Sequence, residues 1–350
     1  MARKLLSVKK INSIFKTSEP LIEDIEKVVS RYNLEESHGK VHIDNLPKIG
    51  KKIGFFRKMK GPKVVTFFTT KGGVLKTTIS LNVARAAAIS GVKTLVIGLD
   101  MQGDMTNAIE GSVPIDDETD FHQKLQEEQS TKGLFDFYSG ECHLFDLIKK
   151  TDLEHLHYIA ETPELILLND HINNLNRREF WLNDKVISKL NTIYDLIILD
   201  CSPSWNKLTT NALCASDLLI SPIECKINNF RNLQIFKQLI NEFKEDLRIN
   251  FQNLFIPTKY SSQKRLSKDI YHWYQENIED LSASRLSECA SCEEAMALNK
   301  SVIETKPSAR SAIELKEVFA EVGKILSKSS RKYSNVENNL VQGDGHDFAR

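Results

Sequence analysis

Residues 66–78 read Thr-Phe-Phe-Thr-Thr-Lys-Gly-Gly-Val-Leu-Lys-Thr-Thr, with Lys71 and Lys76 on either side of a glycine turn and a hydroxyl pair behind them. That order suits the binding of a phosphate chain. Where an apolar strand runs through a glycine turn into a helix, unpaired backbone N–H groups and the positive end of the helix dipole converge on one point. Lys76 is placed to reach terminal phosphates, and the Thr77 hydroxyl to ligate Mg²⁺. The cradle is expected from Gly72, Gly73, Val74, Leu75, Lys76, Thr77 and Thr78. Lys71 is extra, since nothing in an ordinary phosphate loop requires a lysine there. The strict pattern G-x-x-x-x-G-K-[ST] fails, because Thr70 and Leu75 occupy its glycine positions. If position 75 needs a positive φ, a leucine there costs roughly 1–2 kcal/mol that glycine avoids.

Two carboxylates stand where such a cradle would use them. Tyr194 to Asp200 is an aliphatic run ending in an acid and followed by Cys-Ser-Pro-Ser, so Asp200 is expected at a strand tip beside the metal. Asp100 closes Val96-Ile97-Gly98-Leu99-Asp100 and precedes Met101-Gln102-Gly103-Asp104-Met105-Thr106. A carboxylate at that place can orient or deprotonate an attacking water.

The elements that must position these groups alternate strand and helix, as an α/β doubly wound, mostly parallel sheet requires. Continuous apolar runs at 63–68, 93–99, 196–199, 218–220 and 254–256 suit strands covered on both faces. The helix 77–90 should end at a glycine cap, Gly91. No apolar run approaches the roughly 20 residues that span a bilayer, and six scattered cysteines suit a reducing cytoplasm. Cys289 and Cys292 form one C-x-x-C without a second ligand pair nearby, and are read as ordinary helix residues.

The formal net charge of zero hides an asymmetry. Residues 1–63 carry 15 Lys/Arg against 7 Asp/Glu, and the remainder is acidic by the same margin. A basic front on an acidic body suggests a polyanion partner. Three segments are expected: a basic region 1–60, a nucleotide-binding domain 61–328, and a polar, disordered tail 329–350. Within the first, Ser7 to Phe15 and Leu21 to Val29 have helical spacing, with Thr17 or Ser18 as a cap. Residues 39–44 read as a wing-like strand and Leu46 to Phe55 as a basic helix.

With Lys71 included, the loop resembles the deviant Walker A motif, K-G-G-x-G-K-T-T, of the ParA and MinD group of ATPases, and departs from it only at Leu75. Further stretches extend the likeness over about 63–326. Tyr158 to Leu165 is similar to the family's "yipaspeL", Ser216 to Ile223 to "aDlvliPv", and Ile256 to Tyr260 to "PTmyd". The stretch around Asp100 resembles I-D-x-D-P-Q-G-N-x-T, with Gly98 at the first Asp, Met101 at the Pro and Asp104 at the Asn. No cluster cysteines in glycine-rich loops point to the iron proteins of that group, and no basic amphipathic end points to its membrane-bound members. The larger ParA-type partition ATPases, which carry a helix-turn-helix region in front, remain.

The resemblance implies an ATP-dependent, Mg²⁺-using DNA segregation ATPase, slow, cytoplasmic and nucleoid-associated. ATP would close a sandwich homodimer in which Lys71 acts on the partner's nucleotide, Lys76 and Thr77 act in cis, and Asp200 sits beside Mg²⁺. Asp100 would orient water, and Pro257 and Thr258 would flank the adenine. It implies a ParB-like activating partner, no membrane, and non-specific DNA contact through Lys264 and Arg265, with Arg285 and Lys300 as further candidates. The basic region adds Lys48, Lys51 and Lys52, with Arg57 and Lys58, as phosphate contacts. Two alternatives stand: an ATP-liganded DNA-binding regulator with little turnover, and an ATPase of the same type that positions a protein cluster.

Overall fold

In the computed structural model, residues 5–17, 20–36, 39–110, 130–226, 230–288 and 290–328 are described. The chain opens with β1 (Leu5–Ser7), α1 (Val8–Phe15), α2 (Ile22–Arg31), β2 (Lys40–His42) and α3 (Leu46–Ile53). Ser7 caps α1 by accepting from the Lys10 N–H at 3.3 Å. The expected cap of α2 by Thr17 does not form, and Ser18 lies outside the described residues. Instead Asn12 Oδ1 accepts from the Leu21 N–H at 2.7 Å, so a side chain of α1 fixes where α2 starts.

The strand expected within residues 39–44 forms as β2. β2 pairs antiparallel with β1, the strand ahead of α1, in the register Leu6↔Val41, and on its other side makes one local antiparallel bridge, Glu35↔Val41. The first turn of α2 carries Glu23 and Asp24, a poor face for a phosphate backbone. Nor is this segment separately packed. Ile11, Ile14, Phe15, Ile25, Leu46, Ile49 and Ile53 share one buried cluster with Phe319 and Val322 of the helix Arg310–Lys328. A Cβ on Gly50 would stand 2.2 Å from the Ile89 carbonyl oxygen, and one on Gly323 2.2 Å from that of Phe55, so both contacts need glycine.

The second part is a seven-stranded sheet of β3 (Lys63–Phe67), β4 (Thr94–Leu99), β5 (Ile148–Lys150), β6 (Leu156–Ile159), β7 (Leu196–Cys201), β8 (Leu218–Glu224) and β9 (Gln252–Thr258). Its order is β5-β6-β4-β7-β3-β8-β9, parallel throughout except for β5 at one edge. All five apolar runs of the sequence lie in its strands. Those of β3, β4, β7 and β8 are buried along their whole length, as helices on both faces require. The helix after β3 is α4 (Lys76–Ile89), and Gly91 behind it has φ +78°. α5 (Asp104–Glu110) follows β4. Buried Arg85 locks α4 in place, its guanidinium donating to Asp152 at 2.8 and 3.1 Å and to Glu304 at 2.6 and 3.0 Å. β7 lies between β3 and β4, so the carboxyl ends of the three strands and the loops that leave them meet at one edge, where ligands bind in such sheets.

Lys316, 4% exposed, ties the two parts together by donating to the carbonyls of Ser13 at 2.5 Å and Pro307 at 2.7 Å. Burial, with Lys16 and Lys10 adding like charge, lowers its pKa to about 8. An unfolded lysine keeps its proton to about pH 10.4, so between those values the unfolded state binds more protons and stability rises with pH. Relative to Lys316→Met, the wild type should gain about 1–2 kcal/mol of urea-unfolding stability between roughly pH 7.5 and 9.5. A difference that does not change with pH would contradict a buried, titrating ammonium.

Candidate nucleotide-binding site

Leaving β3, the chain turns through Gly73 at φ +69° and enters α4 from Leu75, which sits at φ 70°, ψ 25°. The left-handed geometry that glycine would supply is therefore kept with a leucine, at about 1–2 kcal/mol of strain. Leu75 is half-buried against the core below. A Cβ at Gly72 or Gly73 would meet nothing within 4 Å, so this side of the loop is open.

Lys76 and Asp200 are both buried, with Nζ 4.0 Å from Oδ1. Thr77 Oγ1 donates to Asp200 Oδ2 at 2.8 Å, and Ser80 Oγ lies 3.1 Å from Oδ1. Burial pushes the Asp200 carboxyl upward, and Lys76, Thr77 and Ser80 work against that shift. A hydroxyl and a carboxylate in contact are hard oxygen donors of the kind Mg²⁺ accepts beside waters and phosphate oxygens, so the residues present fit that ion. Thr78 continues the helix, and its carbonyl accepts from Asn82.

Asp100 lies just past β4, is 6% exposed, and accepts from the Gln102 N–H at 3.2 Å. The register sets Asp200 opposite Phe67 on one side and Gly98 on the other, which brings Lys76, Thr77, Asp100 and Asp200 to one edge. Pro257 and Thr258 end β9, beyond β8 in the sheet order. Thr258 Oγ1 is buried without a hydrogen-bond partner among the described residues.

Two acids that the sequence reading missed complete the site. Glu224, the last residue of β8 and 3% exposed, pairs with Lys71 and, at 2.8 Å, with Lys259. Burial raises its pKa, but hydrogen bonds from Lys259 and Lys71 outweigh that and hold it at about 2. Glu161, just past β6, is 8% exposed and accepts from the backbone N–H groups of Met105 and Thr106 at 3.0 Å each. Burial first, then the neighbouring Asp200 carboxylate, push it up to about 8. An acid closing an otherwise apolar strand was the available signal for both.

The basic residues divide. Lys48, Lys51, Lys52, Arg57, Lys58, Lys264 and Arg265 are exposed. Arg285 is held over the rings of Tyr260 and Tyr271, 4.2 and 4.7 Å from their centroids, and Lys300 pairs with Asp152, so these two are engaged internally. Among the described residues no three His, Cys, Asp or Glu could hold a metal, and no helix is long and apolar enough to cross a membrane. Cys289 and the tail 329–350 lie outside the described residues.

Fold and site together define a P-loop nucleotide-binding α/β protein. Residues 62–253 match the family described as "AAA domain" (AAA_31). The chain is 25% identical over 238 residues to the chromosome partitioning protein ParA of Myxococcus xanthus, covering 65% of this chain and 78% of that one. A plasmid partition protein of Borrelia burgdorferi superposes with a TM-score of 0.55 at 21% identity, covering 75% of this chain and 100% of the other. Cobyrinic acid a,c-diamide synthase of Mycobacterium smegmatis, solved with an ATP analogue and magnesium, does so with 0.57 at 22% identity, over 75% and 94%. The chain belongs to the AAA domain family, and the relatives it resembles include ParA-type chromosome partitioning proteins. That its fold is shared with a synthase means that function must be argued from the site.

Strain at position 75 makes a stability prediction. Leu75→Ala and Leu75→Gly lose similar packing, but only glycine escapes the left-handed penalty. The glycine variant should therefore be the more stable of the two by about 1 kcal/mol in urea unfolding. The opposite order would mean that position 75 is not left-handed in solution.

Proposed function

We propose that this chain is an ATP-dependent DNA partition protein, cycling between an open form and an ATP-bound sandwich dimer that binds DNA non-specifically and is reset by hydrolysis. The observation that carries the reading is the contrast between the two loop lysines. Lys76 is 8% exposed and faces Asp200 in its own chain, whereas the side chain of Lys71 is 42% exposed. A buried lysine serves the phosphates of its own site, and an outer one can reach those of a second protomer.

In the proposed cycle Thr77 and Asp200 hold Mg²⁺, which supplies charge neutralisation at the phosphates. Lys76 binds the terminal phosphates in cis. Asp100 accepts a hydrogen bond from the attacking water and orients it toward the γ-phosphorus, whose bond to the bridging oxygen breaks to leave ADP and phosphate. Lys71 exchanges its contact with Glu224 for the partner's nucleotide, and that differential contact is how ATP would favour the closed form. Pro257 and Thr258 flank the base. Exposed Lys48, Lys51, Lys52, Lys264 and Arg265 meet DNA phosphates, which places the cytoplasmic protein on the nucleoid. A ParB-like protein bound at the centromere stimulates turnover.

Leu75 and the bare Gly98 favour one other reading, a regulator that binds ATP and barely hydrolyses it. ATP turnover and light scattering, with and without non-specific duplex DNA, separate the two. The wild type should dimerise with ATP, and Lys71→Ala and Asp100→Ala should each lose at least about tenfold in turnover, with Asp100→Ala still dimerising. If neither variant changes dimerisation or turnover, the regulator reading takes over. Replacing both Lys51 and Lys52 by Ala should lower the slope of log affinity against log salt by about 1–2, and an unchanged slope would remove α3 from the DNA face.

A further inference from the structure

We propose that Glu161 is a positioning residue of the hydrolytic site: reaching from the end of β6 into the space left by Gly98, its carboxylate holds the loop that carries Asp100 and supplies β4 with the side chain it lacks there. The proposal deepens the ATPase reading and rests on it.

Three observations point the same way. First, Gly98 is the cross-strand neighbour of Asp200, so a side chain at 98 would stand beside the Asp200 carboxylate on the same face of the sheet. Second, that place is taken. A Cβ built on Gly98 would lie 2.1 Å from Glu161 Cγ, 2.4 Å from Cδ and 2.5 Å from Oε1. Position 98 must stay bare while Glu161 is there.

Third, the carboxylate grips both ends of one loop. Oε1 accepts from the Asp100 N–H at 3.4 Å, and Oε2 from the N–H groups of Met105 and Thr106 at 3.0 Å each. Thr106 Oγ1 closes the ring by accepting from the Glu161 N–H at 2.8 Å. The segment 100–106 is thereby fastened to β6. Within it Asp100 has only local contacts, its Oδ1 accepting from the Gln102 N–H at 3.2 Å and its carbonyl from the Gly103 N–H at 3.1 Å, so the hydrogen bond that ties it across to β6 is the one to Glu161. A carboxylate that only capped α5 would be indifferent to the side chain at 98. One that occupies the vacant place beside Asp200 is coupled to it.

The coupling is testable by moving the carboxylate. Four proteins are compared: wild type, Glu161→Ala, Gly98→Asp, and the double variant Gly98→Asp/Glu161→Ala. The readouts are kcat and KM for ATP, affinity for a fluorescent ATP analogue, and hydrogen exchange at the Met105 and Thr106 amides. Glu161→Ala should lower kcat at least about tenfold with KM within about threefold, and speed exchange at both amides. Gly98→Asp alone should lose activity through the collision. The double variant should recover kcat above either single variant, because the carboxylate now comes from β4. The proposal is overturned if Glu161→Ala keeps kcat within about twofold, or if Gly98→Asp is as damaging without Glu161 as with it. Should the wild type prove not to hydrolyse ATP at all, the ATPase reading fails by itself. The exchange arm still decides, since unchanged protection of Met105 and Thr106 in Glu161→Ala would remove the positioning role.

Discussion

The site depends on a carboxylate kept out of water. Asp200 is fully buried at the tip of a strand flanked on both sides, where an isolated charge would be prohibitively unfavourable. Lys76, Thr77 and Ser80 compensate it, and all three come from the first turns of α4. The phosphate loop is thus anchored from beneath by the residue expected beside the metal. The order of the strands, with β7 between β3 and β4, is what allows one acid to face the loop on one side and the Asp100 segment on the other.

Around that centre the charges are distributed in a way that leaves work for a ligand. Asp100, Glu161 and Asp200 gather at one edge, and like charges at close range are relieved when one keeps a proton or a cation arrives. Lys71 and Lys259 are drawn instead to Glu224 at the end of β8, across the loop. A nucleotide with its metal would enter between an acidic and a basic cluster, and the phosphate loop separates the two. Leu75 adds strain that only a well-anchored loop would tolerate.

The basic N-terminal segment is part of the same packed body. Glycine contacts at Gly50 and Gly323, the apolar faces of α1 to α3, and the buried ammonium of Lys316 fasten it to α4 and to the helix Arg310–Lys328. Any surface it offers to DNA therefore moves with the nucleotide domain.

Much of this was legible in the chain itself. Uninterrupted apolar runs determined the buried parallel strands, because only strands covered on both faces tolerate them. The glycine turn, Lys76 and Thr77 determined where β3 turns into α4, because a strand-to-helix turn is set by neighbours in sequence. Asp100 and Asp200 were legible as acids ending apolar runs. Glu161 and Glu224 carry the same signal, but what they face was not legible, because their partners lie 56 and 153 residues away, at Met105 and Lys71. The partner of the strand expected within residues 39–44 was likewise not legible, since β2 pairs with a strand beyond two helices. Local pattern decides which element forms and what its ends can bind. Only the tertiary structure decides which buried charges face each other, because strand order and long-range packing, not spacing along the chain, set those distances.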